Sequence, residues 1–224
     1  MDTIRTFIAV EIDSQTGQKI SELVSILKKS NADIKWITDG QMHLTLKFLG
    51  NIDKDKVRGI SEAISNISDN FNSFKIAFSK IGAFPSLNHP AVIWLGIDKG
   101  AESLKTLNEK IETALEKLGF ERESHEFKPH LTLGRVRSDK NMPNITKLLK
   151  EMEPTRAKTR GSLGGILSGH CPSTPSRVRV YGRECAAFYL VNDIQIDKLT
   201  LFQSDLNPKG AIYSIILQKY LQNS

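Results

Sequence analysis

Cysteine is scarce in this chain: two among 224 residues, Cys171 and Cys185. Neither belongs to a paired C-x-x-C. His170 stands beside Cys171, but no fourth ligand is evident, so no zinc site is expected. Long hydrophobic runs are also missing. No apolar stretch approaches the about 20 residues of a membrane-spanning helix, and no membrane association is expected. The opening MDTIRTFIAVEI has neither the basic n-region nor the cleavage site of an export signal. With so few cysteines, that points to a reduced, cytoplasmic setting. The glycine cluster at 161–165 is not followed by Gly-Lys-Ser/Thr, so it is not a phosphate-cradling P-loop. A general excess of positive charge is missing too. The net charge is +6, yet residues 155–187 hold six basic side chains against the single acid Glu184, and the remainder is close to balanced. Nucleic-acid binding therefore does not follow from basicity alone.

What is present is ordinary for a globular chain: 39% hydrophobic and 25% charged residues, enough for one large domain or two small lobes. One feature stands apart. The tetrapeptide His-Leu-Thr-Leu occurs at 43–46 and again at 130–133, in the settings MHLTLKFLG and PHLTLGRV. On a strand, residues i and i+2 share a face. Each copy thus presents an imidazole and a hydroxyl together, His43 with Thr45 and His130 with Thr132. Leu44, Leu46, Leu131 and Leu133 turn into apolar packing. Brought together, two such strands set two histidines and two threonines across one groove, a constellation suited to acid–base chemistry on a phosphate.

The spacing of apolar residues predicts strands over 4–12, 43–49, 74–81 and 91–97. A closing antiparallel pair is expected over 195–206 and 211–217. Helices are predicted over 17–29, capped by Asp13 and Ser14, then from Asp53 through Val57, Ile60, Ala63 and Ile64, and over 103–118 and 144–152. The stripe of Leu104, Leu107, Ile111 and Leu115 is core packing. Residues 82–90, with two prolines, read as a loop. A β-α-β unit recurs around each motif, which predicts two related lobes of antiparallel sheet and an α+β class. Residues 155–187 break the pattern. Rich in Gly, Ser and Pro, they read as an insertion or long loop, with short strands possible at 178–181 and 186–191. The insertion is expected to be a mobile surface segment that limited proteolysis cuts between Thr155 and Arg183.

The paired His-x-Thr-x motifs resemble those of the two-histidine (2H) phosphoesterase superfamily. RTFIAVEI, HLTLKFLG, GAFPS, KPHLTLGRVR and LTLFQSDL…GAIYSI are similar to its RNA 2′,3′-cyclic phosphodiesterase branch, historically named 2′-5′ RNA ligase. The resemblance covers most of the chain outside 155–187. It implies a single bilobal domain over 1–224, two pseudo-symmetric lobes each with an antiparallel sheet and helices outside, and a groove between them. It implies RNA ending in a 2′,3′-cyclic phosphate as substrate and a terminal 2′-phosphate as product. It implies neither metal nor nucleotide cofactor, and a monomer is expected. Many relatives carry an arginine just before the strand that here begins Ala91-Val92; this chain has Ala91, with His89 nearby.

On those terms His43 is the expected proton donor and His130 the proton acceptor, with roles exchanged if the reaction runs backwards as a ligation. Thr45 and Thr132 are expected to donate hydrogen bonds to the non-bridging oxygens. Arg135 falls off the parity of His130 and Thr132 unless a bulge at Gly134 re-aims it at the phosphate. Lys47 shares the parity of His43 and Thr45, so it either reaches the substrate backbone or is solvated, whereas Phe48 reads as core. Phe84 either stacks on a base or packs in the core. His125 reads as surface, and His89 is a loop residue that could touch substrate. Small cyclic nucleotides or an ADP-ribose cyclic phosphate would suit the same residues. Without turnover, the motifs would make an RNA-end binding module.

Overall fold

In the computed structural model, residues 2–152, 178–180, 183–185, 193–207 and 210–223 are described. Strand β1 (Thr3–Glu11) is followed by helix α1 (Ser14–Lys28), β2 (Ile34–Trp36), β3 (His43–Asp53) and α2 (Lys56–Ser68). Then come β4 (Phe74–Ile76), β5 (Phe78–Pro85), β6 (Pro90–Ile97), α3 (Ala101–Glu116), β7 (His130–Val136) and α4 (Met142–Met152). A short pair, β8 (Val178–Val180) and β9 (Arg183–Cys185), precedes β10 (Ile194–Ile196), β11 (Lys198–Asn207) and β12 (Gly210–Tyr220). Apart from β8 and β9, the predicted insertion lies outside the described residues, as does 186–191.

Two four-stranded sheets form the lobes, in the orders β12-β11-β1-β3 and β2-β7-β6-β5. Their strand pairs are antiparallel. This is the expected α+β class. Helix α2 packs on β3, β11 and β12, α3 on α2 and β3, and α4 on β5. Helix α1 starts where the Asp13 carboxylate accepts from the Thr16 amide at 2.8 Å and from its hydroxyl at 2.6 Å, which satisfies an otherwise orphaned donor of the first turn. Its Ile20, Leu23, Val24 and Leu27 are buried, the i, i+3, i+4, i+7 stripe of a helix with one apolar face.

The unit β1-α1-β3-α2-β4/β5 is repeated as β6-α3-β7-α4-β10/β11. The last strand of each unit is exchanged. β5 of the first unit pairs with β6 of the second, and β11 of the second pairs with β1 of the first. Two stretches expected as single strands are each split at one residue, Ala77 and Asp197. Ala77 turns its backbone to residues 98 and 99, accepting from the Asp98 amide and donating to the Lys99 carbonyl. The freed segments β4 and β10 pair with each other and tie the units together. One continuous apolar core, including Ile8, Val10, Leu44, Leu46, Leu131 and Leu133, runs under both sheets. By area, each such side chain contributes about 1.5–3 kcal/mol on full burial.

Two further expectations are corrected. Residues 82–85 are strand rather than loop, because Gly82, Ala83 and Phe84 keep their register with Trp94, Ile93 and Val92. Strand β2 was not foreseen. It is three residues long, too short to show a period, and forms only because β7 offers a partner. No helix among the described residues is long and apolar enough to cross a membrane.

Candidate active site

Both motifs are strand segments whose leucines are buried, Leu44 and Leu131 each 1% exposed, while the histidines and threonines lie on the opposite face, half-buried. Strands β3 and β7 approach each other where the lobes meet. In the first lobe the His43 ring lies 4.8 Å from that of Phe7, with the edge of Tyr213 at 5.1 Å and Phe202 at 5.8 Å. Burial among these rings pushes the His43 pKa down to about 4, against a smaller upward pull from its hydrogen bond with the Gln41 backbone. The cross-strand neighbour of His43 is Glu11. The Glu11 carboxylate accepts from Thr200 Oγ1 at 2.9 Å and Gln218 Nε2 at 2.8 Å.

The second lobe repeats the plan. His130 has Phe84 edge-on at 5.3 Å and Trp94 at 6.3 Å. Its Nδ1 lies 2.7 Å from the Lys128 carbonyl oxygen. A carbonyl only accepts, so Nδ1 carries the hydrogen and Nε2 is left with the lone pair. Burial lowers the His130 pKa, the Lys128 carbonyl raises it, and the nearby Arg135 charge lowers it again. Each motif histidine is thus tied to the backbone two residues before it, at Gln41 or Lys128.

A bulge follows each motif at the same place. Thr45 pairs with Ala9 and Lys47 with Ile8, so Leu46 is the extra residue in β3. Thr132 pairs with Trp94 and Gly134 with Ile93, so Leu133 is the extra residue in β7. The inserted residue inverts the alternation beyond it. In β7 this sends Gly134 inward and leaves Arg135 exposed on the His130 face, where its charge acts on that ring. A Cβ at Gly134 would meet Ile34 Cγ2 at 2.7 Å and Trp36 Cε3 at 2.8 Å, so only glycine fits without displacing them.

In β3 the same inversion overturns two expectations. Lys47 is not at the surface. Its ammonium is buried, 2.6 Å from Glu112 Oε2 and 2.9 Å from the Glu121 carbonyl, and is taken up there rather than by a substrate. Phe48 is not core. It is 63% exposed, on the face of His43 and Thr45, at the position that matches Arg135 in the other lobe.

The remaining candidates are distributed as follows. Phe84 stands on β5, neither in a loop nor in the core, tilted against Trp94 at 5.1 Å beside His130. His89 is exposed in the β5–β6 turn, its amide donating to Ser86 Oγ at 3.3 Å, and Ala91 is exposed at the start of β6. His125 is exposed, with Nδ1 3.5 Å from Glu123. His170 and Cys171 lie outside the described residues, and nothing is described of the Cys185 side chain. Trp94, Phe7, Phe202, Tyr213 and Glu11 were not singled out from sequence. They join the site through strand register, which no local pattern encodes.

The family model for LigT like Phosphoesterase matches the chain twice in tandem, over residues 10–94 and 95–180. Each match contains one motif. The RNA 2′,3′-cyclic phosphodiesterase of Archaeoglobus fulgidus is 30% identical over 210 residues, covering 94% of this chain and 96% of that protein. That of Methanothermobacter thermautotrophicus is 29% identical over 211 residues, with 94% and 95% covered. The crystal structure of TT0787 of Thermus thermophilus superposes with a TM-score of 0.69 over 98% of this chain and 99% of that one, at 19% identity, and so shares the fold.

Proposed function

The chain belongs to the LigT like phosphoesterase family, and from that premise we propose that it hydrolyses RNA 2′,3′-cyclic phosphate ends to 2′-phosphomonoesters by two-histidine acid–base catalysis. The observation that carries this is the duplicated motif strand, with each imidazole tied to the backbone two residues before it. The names of its relatives support the choice of substrate.

In the forward direction neutral His130 takes a proton from water through Nε2 as the water oxygen attacks phosphorus. The P–O3′ bond breaks, and His43 delivers a proton to the departing O3′. The phosphate stays on O2′. One histidine gains a proton and the other loses one, so exchange with solvent resets the pair. Thr45 and Thr132 donate to the non-bridging oxygens, and the Arg135 guanidinium offsets their growing charge. A donor must be protonated before it acts. Burial disfavours the imidazolium of both rings in the ligand-free protein. The bound phosphodiester anion supplies the opposite pull and raises both pKa values in the complex. The exposed ring of Phe48 and the Phe84–Trp94 pair offer flat apolar faces of the kind on which nucleobases stack.

The test is an oligoribonucleotide ending in a 2′,3′-cyclic phosphate, incubated in EDTA with the wild type, His43→Ala and His130→Ala. Conversion to a 2′-phosphate by the wild type, with each variant slowed by at least about a hundredfold, is the expected result. No conversion by folded wild type, or undiminished conversion by both variants, overturns it.

A further inference from the structure

The pseudo-symmetry of the groove is broken in charge. At one end, β3 runs out through Phe48 and Asn51 beside the segment that leads into β7. That segment brings the exposed carboxylates of Glu121, Glu123 and Glu126, against Arg122 and Lys128. Its one guanidinium, Arg122, is engaged by Glu109 and Glu116. Lys56, on the same side, lies over the Phe120 ring at 5.0 Å. At the other end, β7 runs out beside β2, the segment that leads into β3. Here Lys35 is the direct cross-strand partner of Arg135. An antiparallel pair directs both side chains to one face, with Cβ atoms about 4.5–5.5 Å apart. The face is fixed independently, because Ile34 and Trp36, on either side of Lys35, pack around Gly134 on the opposite side. Arg137 follows Arg135 by two residues and is held at the edge by its amide bond to the Asp33 carbonyl.

Lys35, Arg135 and Arg137 are all exposed, and among the described residues none forms an ion pair. Asp33, the carboxylate of this corner, accepts from Ser138 Oγ at 2.7 Å; Asp139 and Lys140 follow in the exposed turn. Three like charges held together outnumber the single carboxylate of Asp33 beside them and repel one another, and a polyanion relieves that repulsion. Arg135 is close enough to act on His130, whereas Lys35 and Arg137 lie farther out along the same face.

Taking the proposed RNA-end chemistry as given, we propose that Lys35 and Arg137 form an anion subsite for the phosphodiesters upstream of the reacting end. The strand leaves the groove over this corner and away from the Glu121–Glu123 side.

The experiment compares Lys35→Ala/Arg137→Ala with wild type on a tetraribonucleotide ending in a 2′,3′-cyclic phosphate and on a 2′,3′-cyclic mononucleotide. For the tetranucleotide, KM rises on the order of fivefold with kcat kept. The dependence of log(kcat/KM) on log salt flattens by about 1.4, roughly 0.7 for each single-strand phosphate no longer neutralised. The mononucleotide, which has no upstream phosphate, is turned over as by wild type and so reports intact folding. The charge-reversed pair Lys35→Glu/Arg137→Glu enlarges the KM effect. Unchanged KM on the tetranucleotide, or an equal loss on both substrates, overturns the subsite. If wild type turned over neither substrate, the chemistry would fall, and fluorescence anisotropy of the labelled tetranucleotide would still read the subsite through its weaker binding to the double variant.

Discussion

Removing the negative charge of Glu112 is expected to be among the most damaging single changes away from the groove. The Lys47–Glu112 pair is 2.6 Å long, with side chains 7% and 6% exposed. It is embedded in further bonds. Lys47 Nζ donates to the Glu121 carbonyl at 2.9 Å, and the Glu123 amide donates to Glu112 Oε2 at 3.3 Å. One turn earlier on α3, Asn108 Nδ2 donates to the carbonyl of Leu46 at 2.8 Å. Leu46 is the bulged residue itself, so α3 grips the bulge at its carbonyl and at the next side chain. Glu112→Gln keeps the shape and leaves the Lys47 ammonium buried without its counter-charge. Breaking a buried pair in this way costs about 3–5 kcal/mol. For a chain of this length each kcal/mol moves Tm by about 2–4 °C, so a fall of roughly 6–20 °C is expected. Lys47→Met exposes the carboxylate to the same imbalance and should cost a similar amount. The double variant Lys47→Met/Glu112→Gln removes both charges, so most of the loss should return. Thermal melts of the four proteins by circular dichroism give the cycle. A change of under about 2 °C for Glu112→Gln, or single effects that simply add in the double variant, would refute a buried pair of this strength.

Three other outcomes follow from the same structure. Gly134→Ala forces a methyl group against Ile34 and Trp36; a loss of about 1–3 kcal/mol by urea titration is expected, with a larger proportional fall in kcat/KM because Arg135 is displaced. The pH profile of kcat/KM reports the free protein, in which burial lowers both histidines, His43 to about 4. One protonated and one neutral ring are needed together, so kcat/KM should peak below the ordinary histidine value near 6.5 and fall as pH rises above it, whereas kcat should peak at higher pH because the bound anion favours the imidazolium; coincident profiles would contradict this. Residues 1–89 produced alone should not fold, because β5 would lack β6 and β1 would lack β11; a cooperative melt of that fragment would contradict the strand exchange.

By itself, the sequence determined the class of fold, the duplication and the histidine–threonine pair of each motif. These are short-range facts. Alternation over 43–46 and 130–133 decides which side chains share a face, and the 3.6-residue stripe of α1 or α3 decides what each helix buries. The tandem repeat of one pattern is visible without coordinates. The same alternation failed at the very next residue, where the bulge at Leu46 sent Lys47 inward and Phe48 outward. At Leu133 the glycine that follows the extra residue betrayed the bulge, since Gly134 has no side chain to place. In β3 a lysine stands there, and nothing in the local pattern says that α3 carries a buried Glu112 to receive it. The exchange of β5 and β11 between units, the splits at Ala77 and Asp197, and the aromatic surround of each histidine rest on pairings between distant segments. Lys35 joined Arg135 in the same way, through three residues of β2 that show no period of their own. Such pairings are chosen by the burial and hydrogen bonds of the assembled sheets, and so only the tertiary structure decided them.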